Sequence, residues 1–258
     1  MQLNNRDKEY IETYSSKSIS FDDFKSMAKD PSLSTIEKIG FPEAYRKNNE
    51  ELILEDISSK LSNLNKPRQK ILDIGSGCSK LTELLMDKAK TLEHELILCD
   101  SEEMLELLEN QDFIKKITGK FPYNIKKMTH LTETLDGILV YSVLQHVILE
   151  DSIFNFIDSA LELLKSGGQL LIGDIPNISK RERFFSSSTG IESHQEYTHS
   201  NTLPKLNSNK LLKNKIDDSI LMSIMQRYRN FGFETYLLAQ NPQLVMSNRR
   251  EDILIVKH

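Results

Sequence analysis

The chain has 258 residues, 38% hydrophobic and 28% charged, with no tryptophan and a formal net charge of -5. That length buries one sizeable core, and the negative balance argues against a general nucleic-acid binder, which shows a basic footprint. No apolar run approaches the roughly 20 residues that span a bilayer, and the start from Met1 to Asp7 lacks the apolar stretch of a secretory signal, so the expectation is a cytoplasmic protein without a membrane or nucleic-acid partner.

The first 66 residues read as helical, a cap ahead of the main domain. Phe21 to Asp30 forms a short helix stopped at Pro31. From Asn49, residues Ile53, Leu54, Ile57, Leu61 and Leu64 make one apolar stripe at helical spacing, with Pro42 in the first turn of that helix and Gly40 at the break before it. From Lys70 the rhythm changes. Ile71 to Ile74 is a short buried strand, Ser79 to Lys90 a helix, and Leu96 to Cys99 a second strand. Ser101 caps a helix led by Glu102 and Glu103, acids that suit its N-terminus. A weaker strand spans Ile114 to Thr118, and Gly137 to Tyr141 is another. One helix then carries Ile153, Phe156, Ile157, Ala160, Leu161 and Leu164 on one face, and Gln169 to Gly173 is the next strand.

Strands alternating with helices mean βαβ units and a mainly parallel sheet. The alternation pauses from Asn177 to about Lys215, a polar, serine-rich stretch too long for an ordinary connection. A helix with Ile220, Leu221, Ile224 and Tyr228 aligned leads to the strands Glu234 to Leu238 and Asp252 to Val256, which are close enough to pair antiparallel. The expected fold is therefore α/β: a Rossmann-like, mainly parallel seven-stranded sheet with a terminal antiparallel hairpin and helices on both faces. A helical cap occupies 1–66, the main domain 67–258, and a lid-like insertion about 177–215. Cys78 and Cys99 lie in or beside core elements without metal-ligand spacing and read as reduced structural thiols.

The crevice where the first strand meets its helix is where nucleotides bind in such sheets. Gly75 and Gly77 let the backbone approach a ligand there, with Ser76 between them. Asp73, inside the strand, is placed to bond the glycine-loop amides and, through water, an ammonium group. Asp100 ends the second strand and can accept both hydroxyls of a ribose. A dinucleotide-binding dehydrogenase would want a third loop glycine at position 80, which is Lys.

Asp73-Ile74-Gly75-Ser76-Gly77, Asp100, the run from Asp136 to Tyr141 leading into Val143-Leu144-Gln145-His146, and the turn Leu163 to Gly168 together resemble the class I methyltransferase family. The resemblance covers roughly Ile71 to Pro176. It implies methyl transfer from S-adenosylmethionine, leaving S-adenosylhomocysteine, with Asp73, Gly75, Ser76, Gly77, Asp100 and Ser101 around the cofactor. The segment from Thr118 to Pro122 lacks the acid that many members place on the adenine amino group, so Met104 and the backbone near Phe121 are expected to hold the adenine.

Methyl transfer needs an aimed nucleophile, and an alcohol also needs a base. His146, after the fourth strand, is the first candidate, and Tyr141 at that strand's end is expected to line the site. The turn Tyr141-Ser142-Val143-Leu144 is not the one that relatives use on base amines or amide nitrogens, and no acid stands where metal-assisted members carry one, so no essential metal is expected. In the insertion, Arg181 and Arg183 beside Phe184-Phe185 suit phosphate or carboxylate, and His194 or His199 is an alternative base. Tyr45 and Arg46 in the cap are candidates for acceptor or methionine-carboxylate contacts.

The stretches from Lys29 to Arg46 and from Gly173 to Arg181 are similar to methyltransferases of bacterial surface-polysaccharide clusters. The expected reaction is O-methylation of a small phosphorylated, phosphoramidate or nucleotide-linked sugar-type metabolite in the making of such a polysaccharide, and the expected state is a monomer or homodimer. The alternatives are a cofactor-binding but inactive regulatory partner subunit and an N-methyltransferase of a small amine.

Overall fold

A computed structural model describes residues 5–14, 18–206 and 213–258; positions 1–4 and the part of the insertion at 207–212 lie outside them. Five helices precede the sheet: α1 (Asn5–Tyr14), α2 (Phe21–Lys29), α3 (Thr35–Lys38), α4 (Glu43–Arg46) and α5 (Glu50–Lys60). Then β1 (Lys70–Ile74), α6 (Lys80–Thr91), β2 (Glu95–Asp100), α7 (Glu102–Leu105) and β3 (Ile114–Thr118) alternate. They are followed by β4 (Leu135–Tyr141), α8 (Leu144–Glu150), α9 (Ile153–Leu161), β5 (Leu164–Pro176), α10 (Ile178–Phe185), α11 (Ser188–Thr198), α12 (Asp218–Asn230), β6 (Glu234–Ala239) and β7 (Arg250–Val256).

The seven strands run in the order β3-β2-β1-β4-β5-β7-β6. All neighbours pair in parallel except β7, which is antiparallel to both β5 and β6. Because strand side chains alternate between faces, the sheet feeds two cores. Leu72, Ile138, Val140 and Ile172 pack with Phe156, Ile157 and Tyr228 on one face, while Ile71, Leu96, Leu139 and Leu171 pack with Ile57, Leu61 and Leu85 on the other. Strands covered on both faces read as continuous apolar runs, which is why they were visible in the sequence. No helix among the described residues is long and apolar enough to cross a membrane. Both cysteines are buried free thiols.

Several boundaries differ from expectation. Pro42 opens the separate one-turn α4, because Asn48 takes a left-handed φ of 66° and breaks the chain before α5. Leu61 and Leu64 stay fully buried, on a 3-10 turn beyond that helix. The single helix expected after β4 is two, α8 and α9, with Ser152 capping the second. The largest correction concerns the insertion, which forms two helices where an irregular stretch was expected. Asn177 accepts the amides of Ser179 and Lys180 at the start of α10, and Ser187 accepts that of Gly190 in α11. The polar residues that suggested a loop are thus helix caps. Gly190 packs so closely under α10 that an added Cβ would sit 2.0 Å from the Phe184 carbonyl oxygen.

Candidate active site

The chain leaves β1 at Ile74 and turns through Gly75 and Gly77, both left-handed at φ 74° and 62°. A Cβ on Gly75 would meet Val143 at 2.5 Å, and one on Gly77 would meet Ile39 at 2.6 Å. The loop is therefore closed on one side by the β4–α8 turn and on the other by the N-terminal helices. The Gly75 amide donates to the Cys99 carbonyl and the Gly77 amide to Asp100 Oδ2, each at 2.8 Å. Asp100 Oδ1 accepts the Ser101 amide at 2.6 Å.

A cavity of about 150 Å³ opens over this edge of the sheet. It brings together Asp73, Gly75, Ser76, Gly77, Asp100, Met104, Phe121, Tyr141, His146 and Arg46, ten of the residues singled out from the sequence. Asp73 differs from expectation in its partners, because both loop glycines use their amides elsewhere. Its carboxyl is pushed up to about 8 by burial, with the charge of Asp100 adding to the effect. Burial also raises Asp100, to about 6, against two amide hydrogen bonds that favour its charged form. Ser101 does not line the cavity; its hydroxyl accepts the Met104 amide as the cap of α7, while its own amide holds Asp100.

His146 sits in the cavity wall with its ring edge-on to Phe24 at 4.9 Å. Nδ1 donates to the Ile19 carbonyl at 3.2 Å. A carbonyl can only accept, so this bond leaves Nε2 as the ring's proton acceptor. Burial lowers the imidazole to about 4, which keeps it neutral near pH 7. Tyr141 lies flat on Gly173, where a Cβ would approach its ring at 2.5 Å, and burial raises its phenol well above the ordinary value.

Beside Tyr141 lies a network the sequence did not announce. Ser142 and Asp174, at the ends of neighbouring strands, are both left-handed at φ 62° and 57°. Such conformations cost non-glycine residues about 1–3 kcal/mol and cluster at functional sites. Asp174 accepts the Ser142 hydroxyl, Arg46 at 2.7 Å, Arg250 at 3.1 Å and Gln240 at 3.4 Å. Arg46 also donates to Ser142 and stacks over Phe41, 4.1 Å from the ring centre. Phe21, Phe24, Ile39 and Phe41 from the N-terminal segment line the cavity too. At its rim, Glu150 accepts both Lys120 Nζ at 3.0 Å and the Phe21 amide at 3.2 Å.

The remaining candidates lie outside the cavity. Tyr45 lines a second cavity of about 20 Å³ that shares Phe41, Arg46 and Tyr141 with the first. Arg181 is paired with Glu182 at 2.9 Å and stacks on Phe185, and Arg183 is paired with Asp218. Both arginines expected to contact phosphate are thus ion-paired in this structure, Arg181 within α10 and Arg183 with the start of α12. His194 packs against Phe185, and His199 caps the end of α11; neither lines the 150 Å³ cavity, so the structure does not bring these two expected bases to His146. Among the described residues no three His, Cys, Asp or Glu side chains are grouped to hold a metal.

Residues 72–172 match the family model described as a methyltransferase domain. No curated protein sequence matches the chain. Among solved structures, the chain is similar to the plantazolicin methyltransferase BpumL in complex with a monoazolic desmethylPZN analog and SAH, at 15% identity and a TM-score of 0.59, covering 97% of this chain and 99% of that one. It is also similar to the CurJ carbon methyltransferase, at 13% identity and TM-score 0.53 over 99% of this chain and 71% of that one. A third likeness is to the methyltransferase domain of bacterial CtHen1, at 13% identity and TM-score 0.50 over 81% and 98%. At these identities the likeness is one of fold. The stretch that matches the methyltransferase-domain model runs from within β1 to within β5, and the seven-stranded order is that of the Rossmann-like methyltransferase fold.

Proposed function

We propose that the protein transfers the methyl group of S-adenosylmethionine to an oxygen of a small acceptor. The observation that carries this reading is the pair of carboxylates, buried Asp73 and half-buried Asp100, facing one cavity beside a glycine loop. Asp100 has oxygen lone pairs left for ribose hydroxyls beyond its two amide bonds, and Asp73 offers a poorly solvated acid to the ammonium of the methionine moiety. Met104 and Phe121 supply apolar surface for the adenine. When bound, the cofactor supplies an electrophilic methyl on a sulfonium.

The chain's own task is to align the acceptor and take its proton. His146, neutral and with Nε2 unprotonated, is equipped to receive the proton of an alcohol; such a base contributes about 10²–10⁴-fold. Tyr141 and Ser142, fixed by Gly173 and Asp174, form the wall beside it. A sugar-type, phosphorylated acceptor would require a cation in addition to Arg46, Arg181 and Arg183, whose guanidiniums are paired with acids.

Thermal shift tests the cofactor class. S-adenosylhomocysteine is expected to stabilise the wild type and NAD to leave it unchanged, with stabilisation lost in Asp100→Ala. No shift with S-adenosylhomocysteine overturns the reading.

A further inference from the structure

Most basic side chains of α4, α5, α10 and β7 have a carboxylate. Arg46 and Arg250 share Asp174, Lys60 is held between Asp56 and Asp252, Lys180 lies 3.9 Å from Glu251, and Arg181 pairs with Glu182. Arg249 is the exception. Half-buried at the start of β7, it donates Nε to the side chain of Asn248 at 3.1 Å, and among the described residues no carboxylate pairs with it. Its guanidinium stacks on Phe185 at 5.4 Å from the ring centre, and Arg181 lies 5.0 Å from the same ring. Two cations thus converge on one aromatic side chain.

Tyr45 of α4 and Tyr197 of α11 are electrostatic neighbours of each other, and burial with the influence of Tyr45 raises the Tyr197 phenol. Both are electrostatic neighbours of Arg249, and burial with the charges of Arg250 and Arg181 weakens the hold of its guanidinium on its proton. Asp7, an electrostatic neighbour of Tyr197, accepts the Ala44 amide at 3.3 Å. Arginine does not escape the cost of burial by deprotonating at ordinary pH, so a half-buried, unpaired guanidinium calls for an anion. Tyr45 also lines the second cavity, whose wall of Phe41, Arg46 and Tyr141 is shared with the cofactor cavity.

We propose that Arg249, supported by Arg181 and by the Tyr45 and Tyr197 hydroxyls, forms an oxyanion-binding subsite at the junction of α4, α10–α11 and β7. It would take a phosphate or carboxylate carried by the acceptor, received bidentately by the guanidinium fork. Anion binding stands on this geometry alone; its role as an acceptor anchor rests on the methyltransferase reading.

The test is a titration of the full chain with sodium phosphate, and in parallel with acetate, at ionic strength held constant with chloride, read by thermal shift and tyrosine fluorescence. Wild type is expected to show a saturable shift beyond that of chloride. Binding should weaken about tenfold or more in Arg249→Gln, as expected for loss of a charged hydrogen-bond partner, and stay unchanged in Lys115→Gln on β3. Stronger binding of phosphate or of acetate then identifies the group recognised. A wild-type shift equal to that of chloride, or an unchanged response in Arg249→Gln, overturns the subsite. If Arg249→Gln fails to fold, Arg181→Gln and Tyr197→Phe carry the test: each should weaken binding about threefold, and no change in both overturns it. S-adenosylhomocysteine affinity, measured on the same samples, should be unaffected by Arg249→Gln; its absence in wild type would sink the methyltransferase reading and leave the phosphate result standing.

Discussion

Two groups of buried or half-buried carboxylates lie along one edge of the sheet, and they are treated in opposite ways. Around β5 and β7, Asp174, Asp252 and Asp56 are answered by Arg46, Arg250 and Lys60 at hydrogen-bond distances. At the glycine loop, Asp73 and Asp100 have no cation among the described residues; Asp100 leans on two amides, and burial pushes both carboxyls up. A buried charge persists only when compensated. The first group compensates itself and holds the N-terminal helices to the sheet, whereas the second has its charge uncompensated in the ligand-free chain, as the proposed binding of a cationic cofactor requires.

Removing one acid from each group separates these roles. Asp174→Ala leaves two arginines without their partner and should cost about 3–5 kcal/mol of stability, read as a fall in Tm; an unchanged Tm would mean the network is not structural. Asp100→Ala should instead hold or raise Tm while S-adenosylhomocysteine affinity falls by about 10²-fold, measured by calorimetry.

His146→Ala is expected to lower turnover about 10²-fold with cofactor affinity near normal. Unchanged turnover would point to a nucleophile that needs no base. With the imidazole held near 4, the wild-type rate should not fall between pH 7 and 5 on account of this residue.

The loop acids also predict a pH dependence with a definite sign. Their folded-state values lie above the ordinary 3.8, so the ligand-free fold binds more protons than the unfolded chain. The stability they contribute is fully present below about pH 4 and is lost as pH rises through about 6 and then about 8. Binding a cationic cofactor favours the ionised acids, so S-adenosylmethionine affinity should rise over that window. Asp73→Asn should flatten the upper part of the rise; an unflattened profile removes Asp73 from cofactor binding.

The smallest effect is expected at the rim. Glu150 and Lys120 are partly exposed, and such pairs contribute about 0–1 kcal/mol. Glu150→Gln should leave Tm within a degree or two and speed cofactor exchange by stopped flow, because it weakens the tie between α2 and the β3 edge.

Much of this site was legible in the chain itself. The strands stood out because both faces of the sheet are covered, which writes them as short apolar runs between helical periods. Asp73, Gly75, Gly77 and Asp100 stood out because backbone approach and ribose recognition demand those residue types at strand ends. His146 was found by its place after β4, though its tautomer depends on the Ile19 carbonyl, 127 positions away. Caps were harder to read. Asn177 and Ser187 start helices by bonding amides two or three residues on, and a run of such polar residues looks like a loop until the helices have something to pack on.

What local pattern determined, then, was the glycine turn and the two acids that flank it, along with the sheet that presents them. Only the tertiary structure decided which charges are satisfied. Arg183 looked available because a sequence shows charge without distant partners; folding gave it Asp218 and, among the described residues, left Arg249 without an acid. Pairing of side chains across α4, β5 and β7 is set by three-dimensional packing, and no local periodicity carries it.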